Sequence, residues 1–143
     1  MIGVVVAAHG DLAQALVSTA QQVIRQPGRV MAVSVNAQDD SASYEKRLRA
    51  AVLEVMGDRG VLVLTDMFGG TPSNVGLTMH QSGEVEVLTG ANLPMLIKAM
   101  QLAGSPVDLA TAARDVRESG ARAIAIASEM LSVPRVILKE KQA

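Results

Sequence analysis

The 143-residue chain has no cysteine, no tryptophan, one tyrosine, one phenylalanine and two histidines. Without cysteine, a disulfide scaffold and a thiolate metal site are both excluded. One Phe and one Tyr cannot build a base-stacking platform. Thirteen Lys and Arg against fourteen Asp and Glu leave a net charge of −1, with no broad basic surface, so nucleic-acid binding is disfavoured. Long hydrophobic runs are missing as well. The longest, Ile2 to Ala8, falls far short of the roughly 20 residues that span a bilayer. No Lys or Arg precedes it and no suitable cleavage region follows, so it does not read as a signal peptide. A cytoplasmic protein is the expectation.

What the chain does have is aliphatic: 49% of its residues are apolar, nearly all Ala, Val, Leu, Ile and Met. At this length one domain is expected, burying roughly 70% of the surface of its unfolded chain. Short β-branched runs alternate with longer segments of helical period, the pattern of a parallel sheet with helices on both faces. Strands are expected at Gly3 to Ala8, Val30 to Val35, Val61 to Thr65 and Val85 to Leu88. Unbroken apolar runs of this kind suit strands buried on both faces. Helices are expected from about Asp11 to Arg25, through Tyr44, Leu48, Ala51, Val52 and Val55, after Thr71 as N-cap, from Leu93 to about Met100, and from Val107 to Glu118 with Gly120 as a stop. Ala121 to Ala127 reads as a small-residue strand. Val133 to Leu138 reads as a possible last one, at an edge, because Pro134 is tolerable only at a strand start or edge. The fold class is therefore α/β, a doubly wound, mostly parallel sheet of order 2-1-3-4 with a C-terminal edge strand. Residues 1–127 form the domain and 128–143 a tail or edge strand.

In such a sheet functional groups gather beyond the C-terminal strand ends, where the strand order reverses. His9 ends the first strand and Asp66 follows the third. Adjacent strands lie about 4.8 Å apart, so the two tips can join in a hydrogen bond. An Asp on Nδ1–H would fix the tautomer and leave Nε2 as an outward lone pair, a nucleophile or general base. Alone, each has an ordinary structural reading, a capping or core histidine and a turn aspartate. Their placement on the two strands flanking the switch point favours function. Gly10 opens one helix and Gly69-Gly70-Thr71 another, so two helix N-termini would aim free N–H groups at one spot, which selects a phosphoryl group as target. His80, in a polar helix end beside Gln81 and Ser82, is set aside. No G-x-S-x-G elbow, P-loop or G-x-G-x-x-G is present, and neither His9 nor Asp66 has a further ligand at metal spacing.

Three segments together carry a family resemblance: Ala8-His9-Gly10, then Thr65-Asp66-Met67-Phe68-Gly69-Gly70-Thr71-Pro72-Ser73-Asn74, then Gly90-Ala91-Asn92-Leu93-Pro94-Met95-Leu96. In this order they resemble the mannose-class enzyme IIA domain of the sugar phosphotransferase system, over roughly residues 1 to 127. The resemblance implies a phosphohistidine carrier, an enzyme component of transferase type. The residue at the position of His9 accepts a phosphoryl group on Nε2 from the phosphocarrier HPr and passes it to a histidine of a IIB protein, here expected on a separate chain. Asp66 orients the imidazole and Thr71, with nearby amides, contacts the phosphoryl group. The expected phosphate-binding set is Gly10, Gly69, Gly70, Thr71, Ser73, Asn74 and Asn92. No nucleotide, metal or other cofactor is needed. The resemblance also implies a homodimer that exchanges a C-terminal strand, and a membrane contact only indirectly, through a permease complex.

Two other functions remain open on the same residues. One is a regulatory phosphoacceptor that reports the state of the system without transport, and the other a phosphotransfer subunit for dihydroxyacetone phosphorylation. Met67, Phe68, Leu93 and Met95 are candidates for an apolar rim that meets the partner proteins.

Overall fold

The structure, a computed structural model, describes residues 1–67 and 70–131, with only the backbone of residues 72 and 73. Its strands are β1 (Gly3–His9), β2 (Val30–Val35), β3 (Val61–Thr65) and β4 (Val85–Thr89). They form one all-parallel sheet in the order β2-β1-β3-β4. Between and after them run α1 (Leu12–Val23), α2 (Ser41–Val55), α3 (Thr71–Thr78), α4 (Leu93–Leu102), α5 (Leu109–Arg122) and the short α6 (Ala127–Met130).

The sheet is aliphatic on both faces because both are covered. Val4, Val6, Ala8, Leu62, Leu64 and Leu88 point to a layer with α1, α4 and α5, where Val17, Leu96, Met100, Leu109 and Val116 are buried. Val5, Ala7, Val61, Val63 and Val85 point the other way, to α2 and α3, where Tyr44, Leu48, Val52, Val75 and Met79 are buried. Side chains alternate along a strand, so His9, two residues beyond Ala7, emerges at the top of the layer that α2 and α3 cover. All five apolar residues expected on α2 are buried.

The C-terminal third departs from expectation. Gly120 does not stop a helix: α5 runs through it to Arg122. A Cβ at Gly120 would stand 2.3 Å from Met95 Cγ, so glycine is there to let α5 pack closely against α4. Ala121 and Arg122 belong to that helix and α6 begins at Ala127, so residues 121–127 are not a strand. Ala and Arg are strong helix formers. Ile124, 81% exposed, and Ile126 lie in the connection between the two helices and are not covered by the core. The expected strand at 133–138 lies outside the described residues. Beyond β4 the described residues place no further strand. That edge borders a cavity of about 380 Å³ lined by Val87, Thr89, Met95, Arg117, Gly120 and Ile124 among others.

Candidate functional site

His9 is the last residue of β1 and Asp66 follows the last residue of β3. The two strands are hydrogen-bonded neighbours, with Ala7 in register with Thr65. The His9 Nδ1–H donates to Asp66 Oδ2 at 2.8 Å, and the His9 backbone N–H donates to the same oxygen at 3.0 Å. Met67 N–H donates to Asp66 Oδ1 at 3.0 Å. Burial pushes the Asp66 carboxyl up. The His9 amide and imidazole and the Met67 amide outweigh this and hold it below the usual carboxylate range. An ionised Asp66 accepts only, so the proton sits on Nδ1 and the lone pair on Nε2. The Asp66 side chain is 12% exposed and that of His9 48%. The carboxylate is thus the buried foot of the pair and the imidazole its exposed head.

Both flanking turns are shaped for this ring. Gly10 adopts φ +56°, a left-handed conformation that glycine reaches without strain, and its N–H donates to Val35 O at 2.9 Å. This turn sends the chain from the tip of β1 directly into α1. On the other side, Gly70 rather than Thr71 is the N-cap of α3, and Thr71 is its first residue. The Gly70 backbone is extended, at φ −86° and ψ 168°, and a Cβ there would lie 2.9 Å from His9 Cε1 and 3.4 Å from Nε2. Glycine is required because the imidazole occupies that space. Neither α1 nor α3 takes a side-chain hydrogen bond at its N-cap. Two helix N-termini, each with partial positive charge and first-turn amides, therefore flank the imidazole.

His9, Gly10 and Thr71 open on one cleft of about 410 Å³, whose other wall is Val35, Asn36 and Ser41 with their neighbours. That wall is the β2–α2 loop, which no motif marked. Strand order was the available signal, since β2 lies beside β1 and its tip must stand next to His9. The loop is braced by Asp39, whose Oδ2 accepts from Asn36 N at 2.9 Å and from Arg47 at 2.7 Å, while Arg47 also donates to Ser34 O. Ser41, the first residue of α2, brings a third helix N-terminus to the cleft, although Asp40 caps it through Ser43 N.

Of the expected phosphate-binding residues, Asn92 is placed away from this cleft. Asn92 is a helix cap: its Oδ1 accepts from Met95 N at 3.0 Å and its Nδ2 donates to Gly120 O at 3.2 Å. It lines the cavity by the β4 edge instead. Asn74 is exposed on α3 and its backbone N–H donates to Gly70 O. Gly69, Phe68 and the Ser73 side chain lie outside the described residues. Among the rim candidates Met67 is 54% exposed and Leu93 half-buried, whereas Met95 is core. Leu12, the first residue of α1, is also an exposed apolar side chain. His80 is remote in role, its Nδ1 bonding Val85 O at 2.9 Å. No group of three or more acidic or histidine side chains suited to a metal occurs among the described residues.

A His–Asp pair at the switch point of a parallel sheet, between two helix N-termini, offers a nucleophile or general base beside amides that suit an anion. The sequence matches the family EIIA-man, described as PTS system fructose IIA component, over residues 3–116. The chain belongs to this family. This IIA chain is 26% identical over 103 residues to the PTS system fructose-specific EIIA component of Bacillus subtilis, covering 71% of this chain and 70% of that one. It is 27% identical over 100 residues to the PTS system mannose-specific EIIAB component of Escherichia coli K12, covering 69% of this chain but 31% of that longer protein. Among solved structures, the phosphotransferase system component EIIA of Streptococcus agalactiae superposes with a TM-score of 0.80 at 26% identity, covering 90% of this chain and 99% of that one. The protein is a mannose-class IIA component with the four-stranded α/β fold of that class. No helix among the described residues is long and apolar enough to cross a membrane.

Proposed function

We propose that this IIA component is a cytoplasmic phosphohistidine carrier: His9 Nε2 takes a phosphoryl group from the phosphocarrier HPr and passes it to a histidine of an IIB protein. The observation that carries this reading is the 2.8 Å bond from Nδ1 to Asp66, which turns an exposed Nε2 lone pair into the cleft. In the forward step that lone pair attacks the phosphorus of phospho-HPr, the donor's P–N bond breaks and the Nε2–P bond forms. The Nδ1 proton stays in place, shared with Asp66, which stabilises the positive charge the ring gains. Transfer of this kind passes through a loose, metaphosphate-like state, so positioning and anion stabilisation do most of the work. Gly10, Gly70 and Thr71, with Gly69, Ser73 and Asn74 of the same segment, are the proposed phosphoryl-binding set. Handing the group to IIB reverses the same steps, with no nucleotide or metal required.

The same reading includes a homodimer in which the C-terminal segment adds a strand beside β4 of its partner. Among the described residues no strand lies beyond β4, and the exposed Ile124 borders that edge, which supports this arrangement. Met67 and Leu12 supply an apolar rim for the carrier proteins. A permease would be met only through IIB. Incubation with phosphoenolpyruvate labelled at phosphorus, enzyme I and HPr tests the function. The label is expected on this chain only when HPr is present, and it should discharge on addition of IIB. A chain that stays unlabelled contradicts the proposal.

A further inference from the structure

Val35 at the tip of β2 is in register with His9 at the tip of β1, and its carbonyl accepts from Gly10 N–H at 2.9 Å. Asn36, the next residue, therefore stands beside the turn that follows His9, and it lines the same cleft as His9, Gly10 and Thr71. Its backbone is engaged at both ends. The Asn36 N–H donates to Asp39 Oδ2 at 2.9 Å, and its carbonyl accepts from Asp39 N–H at 3.0 Å. Arg47 donates to that same Asp39 oxygen at 2.7 Å and to Ser34 O, just before Val35, at 2.7 Å. The side-chain amide of Asn36 has no part in this brace. An asparagine that opens a turn ordinarily folds its side chain back onto the backbone N–H two residues on. Here that bond is not made, and the exposed Asn36 amide has no hydrogen-bond partner among the described residues.

We propose that Asn36 is a further phosphoryl-binding residue: its side-chain N–H groups donate across the cleft to an oxygen of the phosphoryl group on His9 Nε2. The inference rests on phosphorylation of His9, proposed above, and adds a contact from the tip of β2 to those from the turns after β1 and β3. A phosphoryl group carries three strong acceptor oxygens, so donors on one side leave others unserved. Gly10, Gly70 and Thr71 belong to the β1–α1 and β3–α3 turns, and the β2–α2 loop is the other wall of the cleft. That wall already holds one carboxylate, Asp39, whose charge Arg47 offsets. A second carboxylate there would repel a phosphoryl dianion. A neutral amide donates to the anion and leaves the Asp39–Arg47 pair undisturbed. Because the loop backbone is already braced, little ordering is left to the moment of binding.

The test phosphorylates His9 with phosphoramidate, which does not depend on HPr: Nε2 attacks phosphorus, the P–N bond of the zwitterionic reagent breaks and ammonia leaves. Wild type, Asn36→Ala, Asn36→Asp and Gln38→Glu are compared by phosphorus NMR at one fixed ratio of phosphoramidate to ammonia. Gln38 is exposed in the same loop but does not line the cleft. The phosphorylation equilibrium should fall about tenfold in Asn36→Ala, the effect of losing one hydrogen bond to a charged group. It should fall further in Asn36→Asp and stay near wild type in Gln38→Glu. In ¹⁵N-labelled wild type, the Asn36 side-chain amide protons should move downfield on phosphorylation. A wild-type equilibrium in Asn36→Ala overturns the proposal. So does an Asn36 amide signal that stays in place, even where Asn36→Ala is weakened, because the loss then comes from a disturbed loop. A loss in Gln38→Glu as large as in Asn36→Asp overturns it too, since charge in the loop and not contact would be the cause. If HPr fails to label a chain that phosphoramidate labels with these differences, the carrier reading falls and the role of Asn36 stands. A His9 that phosphoramidate cannot label overturns both.

Discussion

Gly70 touches the His9 imidazole so closely that a single added methyl would stand 2.9 Å from Cε1. The ring is therefore held from two sides, by the Asp66 carboxylate at Nδ1 and by a bare backbone near Nε2. In Gly70→Ala either the ring leaves its rotamer or the start of α3 retreats. A displacement of about 30° in a side-chain torsion costs roughly 0.5–1.5 kcal/mol, so transfer should slow by about 2- to 12-fold with the fold intact. Single-turnover rates from phospho-HPr measure this directly. An unchanged rate would mean that the glycine serves α3 alone.

Asp66→Asn removes the charge and keeps the shape. An amide cannot stabilise the positive ring of the transferring state, nor enforce the Nδ1–H tautomer as an acceptor-only group does. Losing one charge-assisted hydrogen bond should slow transfer by about 10- to 100-fold. Stopped-flow transfer from phospho-HPr, with circular dichroism to confirm the fold, checks it. Wild-type rates would remove Asp66 from the mechanism.

Asp66 also links stability to acid. Its folded-state pKa lies below the usual carboxylate value, so the ionised group stabilises the native state fully above about pH 4, where an unfolded Asp is also ionised. That contribution is lost as pH falls through the lower folded value. Urea midpoints of wild type and Asp66→Asn should therefore differ by a constant amount from neutrality to about pH 5 and converge below about pH 4. A gap that persists or widens in acid contradicts the assignment.

Asn92 is expected to matter for stability and not for chemistry. Asn92→Ala removes the cap of α4 and the tie to Gly120 O, a loss of about 1–2 kcal/mol. Thermal melting and transfer rate measured together separate the two roles. Slower transfer with undiminished stability would return Asn92 to the phosphoryl site.

The contrast between His9 and Asn92 shows what the sequence discloses. Buried parallel strands read as unbroken aliphatic runs, so β1 to β4 are legible in the sequence, and the order usual for such sheets brings His9 and Asp66 together at their tips. Asn92 sits at a strand tip too, but it caps α4 through Met95 N–H, three residues on, and its tie to Gly120 O, 28 residues away, leaves no local mark. Gly120 reads as a stop because a glycine inside a helix is usually a weakness; here its missing side chain is what the neighbouring helix needs. The wall formed by Asn36 and Ser41 follows from topology rather than motif. Tyr44 falls at core spacing on α2 and is fully buried there, as that spacing implies.

The most direct measurement is long-range proton–nitrogen NMR on protein labelled with ¹⁵N at histidine, before and after phosphorylation by phosphoenolpyruvate, enzyme I and HPr. The account predicts a resting His9 in the Nδ1–H tautomer. After reaction, phosphorus should couple to Nε2 of His9, with Nδ1–H retained and His80 unchanged. Phosphorus on Nδ1, on His80 or on no histidine would contradict it.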